Sequence, residues 1–407
     1  MLQGDKLLLA PHPNPVPPID LQLVHTVDKK SGLPGPPPSP NSIVLHSLQG
    51  QEYHVTTTTD EEAKSWLREF QRVLLWRKRF LLSCRDLSVN AHIARPAPET
   101  PQLAEVVSSA AANDWVVLAP GTHAGGVVVN KPGVTLHGLK GSNREPCVVV
   151  GPPAGHTTVT CDAADVCLSN LELRHDNSGA SCVRVSGGAA VVDSCSVVCP
   201  QGRAVQVVGQ AAARIDNTII PSPGVCGIHI ASSGAVTVKD CEITDANVGP
   251  GILVNKGEPK IVTNKVLRSR RGGIVVSGKD TSALILGNQV EGSSQVGTAV
   301  TNKGRAVVEG NLIASNGHHG VAVLQGAQAT LRNNNVANNA LYGLAVQGQG
   351  SEVVVHSCAF DANRRSALRL FGASHCQLRN VAVKPQDVNC DPKANLLRVD
   401  EEAPPSD

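Results

Sequence analysis

The feature that most limits what this chain can fold into is a short internal repeat. Its blocks are Ser-Asn-Leu171, Asp-Ser-Cys195, Asp-Asn-Thr218, Lys-Asp-Cys241, Thr-Asn264, Gly-Asn288, Gly-Asn311, Asn-Asn334, Ser-Cys358 and Asn-Val381. The anchors fall at 171, 195, 218, 241, 264, 288, 311, 334, 358 and 381, so neighbours are 23 or 24 residues apart. An apolar residue follows two positions later, as Leu173, Val197, Ile220, Ile243, Val266, Val290, Ile313, Val336, Phe360 and Val383. Nine positions after the middle anchors, Gly273, Gly297, Gly320 and Gly343 each head an apolar alternation. Helical repeats need ~33 residues or more, so this period excludes them. A leucine-rich repeat would show an LxxLxL core, which is missing. Short β runs between Gly, Asn and Ser turns fit a coil of three strands. Stacking the coils pairs each strand with its copies ~4.8 Å away. No coil buries its own face, so stability resides in the interfaces between neighbours. The fold class is all-β, a right-handed parallel β-helix or solenoid, its hand set by the crossover rule.

Composition narrows function. The 36 basic and 34 acidic residues leave a net charge of +2, which speaks against a polyanion binder built on bulk charge, and no nucleic acid is expected. Aromatic residues make up 2 %, too few for a ring-lined sugar groove or a base-stacking platform. No apolar run approaches the ~18 residues of a membrane span. The N-terminus does not read as a secretory signal. The twelve cysteines include no CxxC pair and no zinc spacing, and most sit in apolar runs. They read as reduced, buried hydrophobes of a cytoplasmic protein, with no metal or cofactor.

The segment VVLAPGTHAGGVVVNKPGVTLHG (116–138) resembles the opening coils of pectin-lyase-like β-helices. The repeated N-x-φ and G-φ-x-φ pattern resembles the coils of the carbohydrate-binding and sugar-hydrolysis (CASH) module. GEPKIVTNKVL and GVAVLQGAQATLRNNNVANNALYGLAV are similar to the non-enzymatic β-helices of F-box-only ubiquitin-ligase adaptors and of the SHC SH2-domain-binding protein family. A second resemblance is to the last strands and helix of a pleckstrin-homology (PH) domain, in SIVLHSLQGQEYHVTTTTDEEAKSWLREFQRVL (42–74), with Trp66 at the core tryptophan position. The basic motif that reads inositol phosphates in that family falls in strands the segment lacks. The expected organisation is a partial PH-like domain over 1–80, a linker over 81–100, the β-helix over 101–383 and a disordered acidic tail over 384–407. Leu103 to Ala112 reads as a short capping helix.

Three sets of residues carry candidate chemistry. Asn264, Asn288, Asn311 and Asn334 stack in register as a structural ladder, each amide bonding to its copy in the next coil. Asp193 and Asp216 share a column, which invites a carboxylate pair or a cation site. Lys239 follows in that column, and the sequence favours a solvated outer column over any site. Six to eight residues after successive anchors come Arg270, Arg271, Gln295, His318, His319, Leu341, Tyr342, Arg364 and Arg365, a stripe with basic ends. Arg and Tyr are favoured interface anchors, so the stripe is expected to bind a protein partner. Arg77, Lys78 and Arg79, with Lys29 and Lys30, allow a weak phosphoinositide or anionic-membrane contact through the N-terminal module. These features together give the expectation of a scaffold or protein-interaction protein, not an enzyme. The alternatives are a carbohydrate-active β-helix enzyme or a ubiquitin-ligase substrate-recognition subunit.

Overall fold

The computed structural model describes residues 102–399 apart from 140–144, 153–154 and 178, together with 91–94, Pro96 and short strands within the first 56 residues. The chain divides into two units, Met1–Val150 with Ala163–Glu172, and Gly151–Asp162 with Leu173–Asp407.

In the first unit, Trp115–Leu118 pairs in parallel with Thr135–Gly138, which pairs with the end of Val159–Ser169. Gly121–Ala124 and Cys147–Val150 form a second parallel pair. The helix expected near Leu103 spans Gln102–Ser109 and buries Leu103 and Val107. Ala91–Ala94 pairs with Trp115–Leu118. The coils therefore begin inside the stretch expected as a linker. The signal is weak there because four residues are too few to show an alternation. His92 Nε2 lies 2.7 Å from Asp114, whose carboxylate also accepts the Ala111 amide at 2.7 Å. Val24–Asp28, Ser42–Ser47 and Glu52–Thr56 pair antiparallel. The helix that the PH resemblance requires, and the basic clusters at 29–30 and 77–79, lie outside the described residues.

The second unit is a stack of three-strand coils. One coil comprises Ser282–Leu286, Gln289–Glu291 and Val296–Thr301, and the next comprises Arg305–Glu309, Leu312–Ala314 and Val321–Leu324. Like positions pair in register from coil to coil. The column Ile261, Ile285, Val308, Leu331, Val355 and Leu378 runs down one wall. Val266, Val290, Ile313 and Val336 run down another. All are buried, and each aliphatic side chain contributes about 1.5–3 kcal/mol against exposure. The residue before each anchor turns the chain with a left-handed backbone, at Asn217, Asp240, Asn333, Ser357 and Asn380 among others. Asn and Asp tolerate that conformation, which explains their place in the repeat.

The tail expectation is corrected over 384–399. Val388–Cys390 and Asn395–Val399 pair in register with Ser366–Phe371 and His375–Arg379. Leu368 and Leu378 offer strand edges that Val388 and Arg398 continue, so one further coil forms in place of a free tail. The unpaired backbone of an exposed edge favours such an addition.

Candidate functional site

The stripe assembles as its spacing requires. The His318 amide donates to the Gln295 carbonyl, Leu341 to His318 and Arg365 to Leu341, each at 2.9 Å. Gly272 pairs with Val296, which places Arg271 beside Gln295. Arg271, Gln295, His318, Leu341 and Arg365 thus form one column along the coils. Arg270 and Arg364 belong to the adjacent column, with Ser294, Gly317 and Ala340 between them. All four arginines are exposed.

Beside the column runs a groove of about 680 Å³. Its floor is the outward face of successive strands, with Leu253, Val275, Ala299 and Ala322, and its wall holds Arg271, Gln295, His318 and His319. No acidic residue lines it among the described residues. Arg270, Gln295, Arg268 and Asp245 border a second recess of about 520 Å³, where Arg268 and Asp245 pair through two hydrogen bonds of 2.7 and 2.8 Å.

His319 is the perturbed group of the wall. Its ring stacks on Tyr342 at 5.4 Å and meets His318 edge-on at 4.2 Å. Burial, then the His318 and Arg365 charges, hold it down to about 4. Its Nδ1 is buried without a hydrogen-bond partner, which further disfavours the imidazolium. Burial and Arg365 also lower His318. At neutral pH His319 is therefore an uncharged imidazole stacked on Tyr342, with the Arg365 charge near it.

The asparagines expected as a ladder form one. Asn288 Oδ1 accepts the Asn264 amide N–H and the Asn264 Nδ2, both at 2.9 Å, and its own Nδ2 reaches the Ile261 carbonyl at 2.8 Å and Asn311 Oδ1 at 3.0 Å. Asn311 repeats this with Asn334. A second ladder escaped the sequence reading. Asn316, Asn339 and Asn363 sit five residues past their anchors, and Asn316 Nδ2 donates to Asn339 Oδ1 at 2.9 Å, as Asn339 does to Asn363. The recurrence of Asn at 316, 339 and 363 was the available signal.

Asp193 and Asp216 pair in register, and Lys239 follows Asp216. The expected solvated column is corrected at Asp216, which is 4 % exposed. Arg214 lies across it and bonds Oδ2, while Oδ1 stays buried without a partner. Burial raises this carboxyl, Arg214 opposes, and Asp193 adds to the rise. Asp193 is held by Asn217 Nδ2 at 2.9 Å and Ser194 Oγ at 3.2 Å. Among the described residues no group of three or more His, Cys, Asp or Glu could hold a metal ion, and no helix is long and apolar enough to cross a membrane.

The family model for the right handed beta helix region matches residues 157–313 and 250–385, more than half of the chain. The chain belongs to the right-handed β-helix family. No curated protein matches it. Among solved structures, its fold is similar to the mannuronan C-5 epimerase A-module of Azotobacter vinelandii, at 13% identity and a TM-score of 0.48, over 76% of this chain and 93% of that one. It is similar to an α-1,3-glucanase catalytic unit of Streptomyces thermodiastaticus, at 13% identity and 0.49, over 76% and 67%. It is similar to an alginate lyase of a Paenibacillus species, at 15% identity and 0.39, over 77% and 99%. The expectation of a non-enzyme is withdrawn here: the three solved β-helices named are an epimerase, a glucanase and a lyase. At these identities the likeness is one of fold.

Proposed function

We propose that this β-helix is a carbohydrate-active protein that takes an acidic, uronate-bearing glycan along the groove beside Arg271 and His319. The observation that carries the reading is the uncharged His319, on the wall of a groove lined without acids, stacked on Tyr342 and within the field of Arg365 just beyond the groove. A hydrolase needs two carboxyl groups about the scissile bond, and this groove lacks them. Proton removal from the carbon bearing a carboxylate asks for other groups: a neutral base, a cation on the carboxylate and a proton donor.

His319 supplies the first, Arg365 the second and Tyr342 the third. The imidazole takes the proton, and the electron pair left on carbon spreads into the carboxylate held by the guanidinium. The proton can return from the other face, which inverts the centre. Alternatively the pair expels the oxygen on the next carbon, and Tyr342 protonates that oxygen. A base held near 4 is weak, so charge neutralisation by Arg365 carries the larger share of the acceleration.

Incubation with polyuronates in D2O tests this. Inversion is expected to place deuterium at the carboxylate-bearing carbon, read by proton NMR, and cleavage to leave that carbon unsaturated and without hydrogen, read as the ultraviolet absorbance of the new double bond. His319→Ala is expected to lose both exchange and cleavage, and the acid limb of the wild-type rate is expected near pH 4, where the ring gains its proton. Absence of both exchange and cleavage with every polyuronate tried overturns the catalytic reading. A protein partner is the occupant expected from sequence, and an acidic segment of one offers carboxylates to the same arginines. Polyglutamate is therefore the control, and equal binding of polyglutamate and polyuronate removes the glycan from the proposal.

A further inference from the structure

The column that carries the wall of the groove continues past it and fixes where two charges stand, Arg271 on the wall and Arg365 two rungs beyond His318. Arg271 and Arg365 occupy the same column, with Gln295, His318 and Leu341 between them. Four rungs separate the two guanidinium-bearing residues, and at ~4.8 Å per rung their backbones are about 19 Å apart. The intervening side chains bring no charge at neutral pH, because burial and Arg365 lower His318 and His319 is held near 4. The β-helix is rigid along this direction, since every rung is pinned by parallel backbone bonds. Side-chain reach can alter the separation of the charges but cannot bring the two backbones together.

We infer that the groove measures its ligand: Arg271 and Arg365 act as two anion-binding posts that select a glycan long enough to present acidic groups to both. The inference rests on the proposed function and adds a specificity that the reaction itself does not require. One exposed ion pair contributes little, so a ligand that reaches a single arginine binds weakly. Once that ligand is held, the second arginine meets its partner within the same molecule, at an effective concentration set by the spacing of the acids along the chain. Binding therefore depends on length as a step. A chain shorter than the span gains nothing from added residues that touch only the apolar floor. The first chain that reaches both posts gains the second contact without a second association cost. Neutral glycans of equal length lack the step. Hydrogen bonds from Gln295 and Gln347 reach along the groove between the posts and orient the middle of such a chain.

Titration calorimetry with homologous oligouronates of increasing length tests this on the full chain. Wild-type affinity is expected to rise at least tenfold at one length and only gradually on either side of it. Arg271→Ala and Arg365→Ala are each expected to erase the step, and added salt is expected to flatten it. Arg305→Ala, an exposed arginine on a different strand, is the control that leaves the step in place, and thermal melting verifies that each variant is folded. A smooth rise with length in the wild type, or a step that survives in the Arg271→Ala/Arg365→Ala double variant, overturns the two-post inference even though the glycan binds. Failure of every oligouronate to bind, at any length, overturns instead the proposed function on which it rests.

Discussion

The coils around Cys241 and those around Asn288 fill the same column by different means. In the later coils each amide satisfies its whole capacity, as Asn288 does with Asn264, Ile261 and Asn311. In the earlier ones Thr218 Oγ1 donates to the Asp216 carbonyl at 2.8 Å, and the Cys241 thiol makes only long contacts of 3.3 and 3.4 Å to Lys239 and Ile215. Burial pushes that thiol up to about 12, so it stays a neutral apolar filler. The two regions meet at Asn264, whose Oδ1 accepts the Cys241 amide and whose Nδ2 donates to the Val238 carbonyl, both at 3.0 Å. The column requires only that something of the right size occupy the turn. An amide there additionally ties three rungs together, and it does so at the risk that a partly satisfied network is worse than none.

The largest test of that difference is Asn288→Ala. It takes the acceptor from the Asn264 amide N–H, removes one of the two bonds of Asn264 Nδ2, which keeps the Val238 carbonyl, and takes one donor each from the Ile261 carbonyl and from Asn311 Oδ1, which keeps the amide of residue 288. The expected cost is on the order of 4 kcal/mol, since each unsatisfied buried group costs about 1–3 kcal/mol and some relax. Cys241→Ala removes one sulfur and should cost about 1–2 kcal/mol. Denaturant titration compares the totals, and hydrogen exchange at the amides from 241 to 311 shows whether the loss stays local. Equal costs would mean that the amides are mere fillers too.

A second test is Gly297→Ala. A Cβ there would sit 2.5 Å from Ile313 Cγ2, 2.6 Å from Asn316 Nδ2 and 2.7 Å from the Gly320 carbonyl. The glycine column leaves room for the second asparagine ladder. In the earlier coils the same column holds Ala204, fully buried, and then Gly227 and Gly251, where a Cβ would meet Ile243 and Val266 and no asparagine, so the aliphatic wall asks for glycine there and the ladder adds to that demand only in the later coils. Overpacking of this kind costs about 1–3 kcal/mol. A melting temperature unchanged by Gly297→Ala would break the link between the glycines and the amides.

These particulars also show what was readable beforehand. The anchors, their apolar partners and the first ladder follow from period alone, because in a stacked coil equal spacing means equal environment. The arginine stripe was legible for the same reason. The second ladder was not, since Asn316 lies between the anchor and the edge, where asparagine also reads as an ordinary turn residue. Burial of Asp216 was invisible because alternation points it outward, and only the Arg214 side chain laid across it removes it from water. The groove is a property of several coils at once: small residues at Ala299 and Ala322 lower the floor beside His319, and no single repeat records that. The final coil was hidden by the Pro, Asp and Lys of residues 385–393, a composition typical of tails.

The smallest expected effect runs in the opposite direction, toward extending the amide region by one rung. Ser293 and Ser269 continue the second ladder toward the earlier coils, and both hydroxyls are buried without partners. The Ser293 amide already donates to Asn316 Oδ1 at 3.0 Å, in the manner of the Asn316 amide to Asn339. What serine lacks is the second donor that Asn316 Nδ2 supplies at 2.9 Å. Ser293→Asn would provide it, with Gly273 above as Gly297 stands above Asn316. The expected gain is about 1 kcal/mol, the net worth of one added hydrogen bond plus relief of an orphaned hydroxyl, read as a rise in melting temperature. A fall would show that the ladder stops at Asn316 because the space closes there, and the serines would then mark a packing boundary between the two kinds of coil.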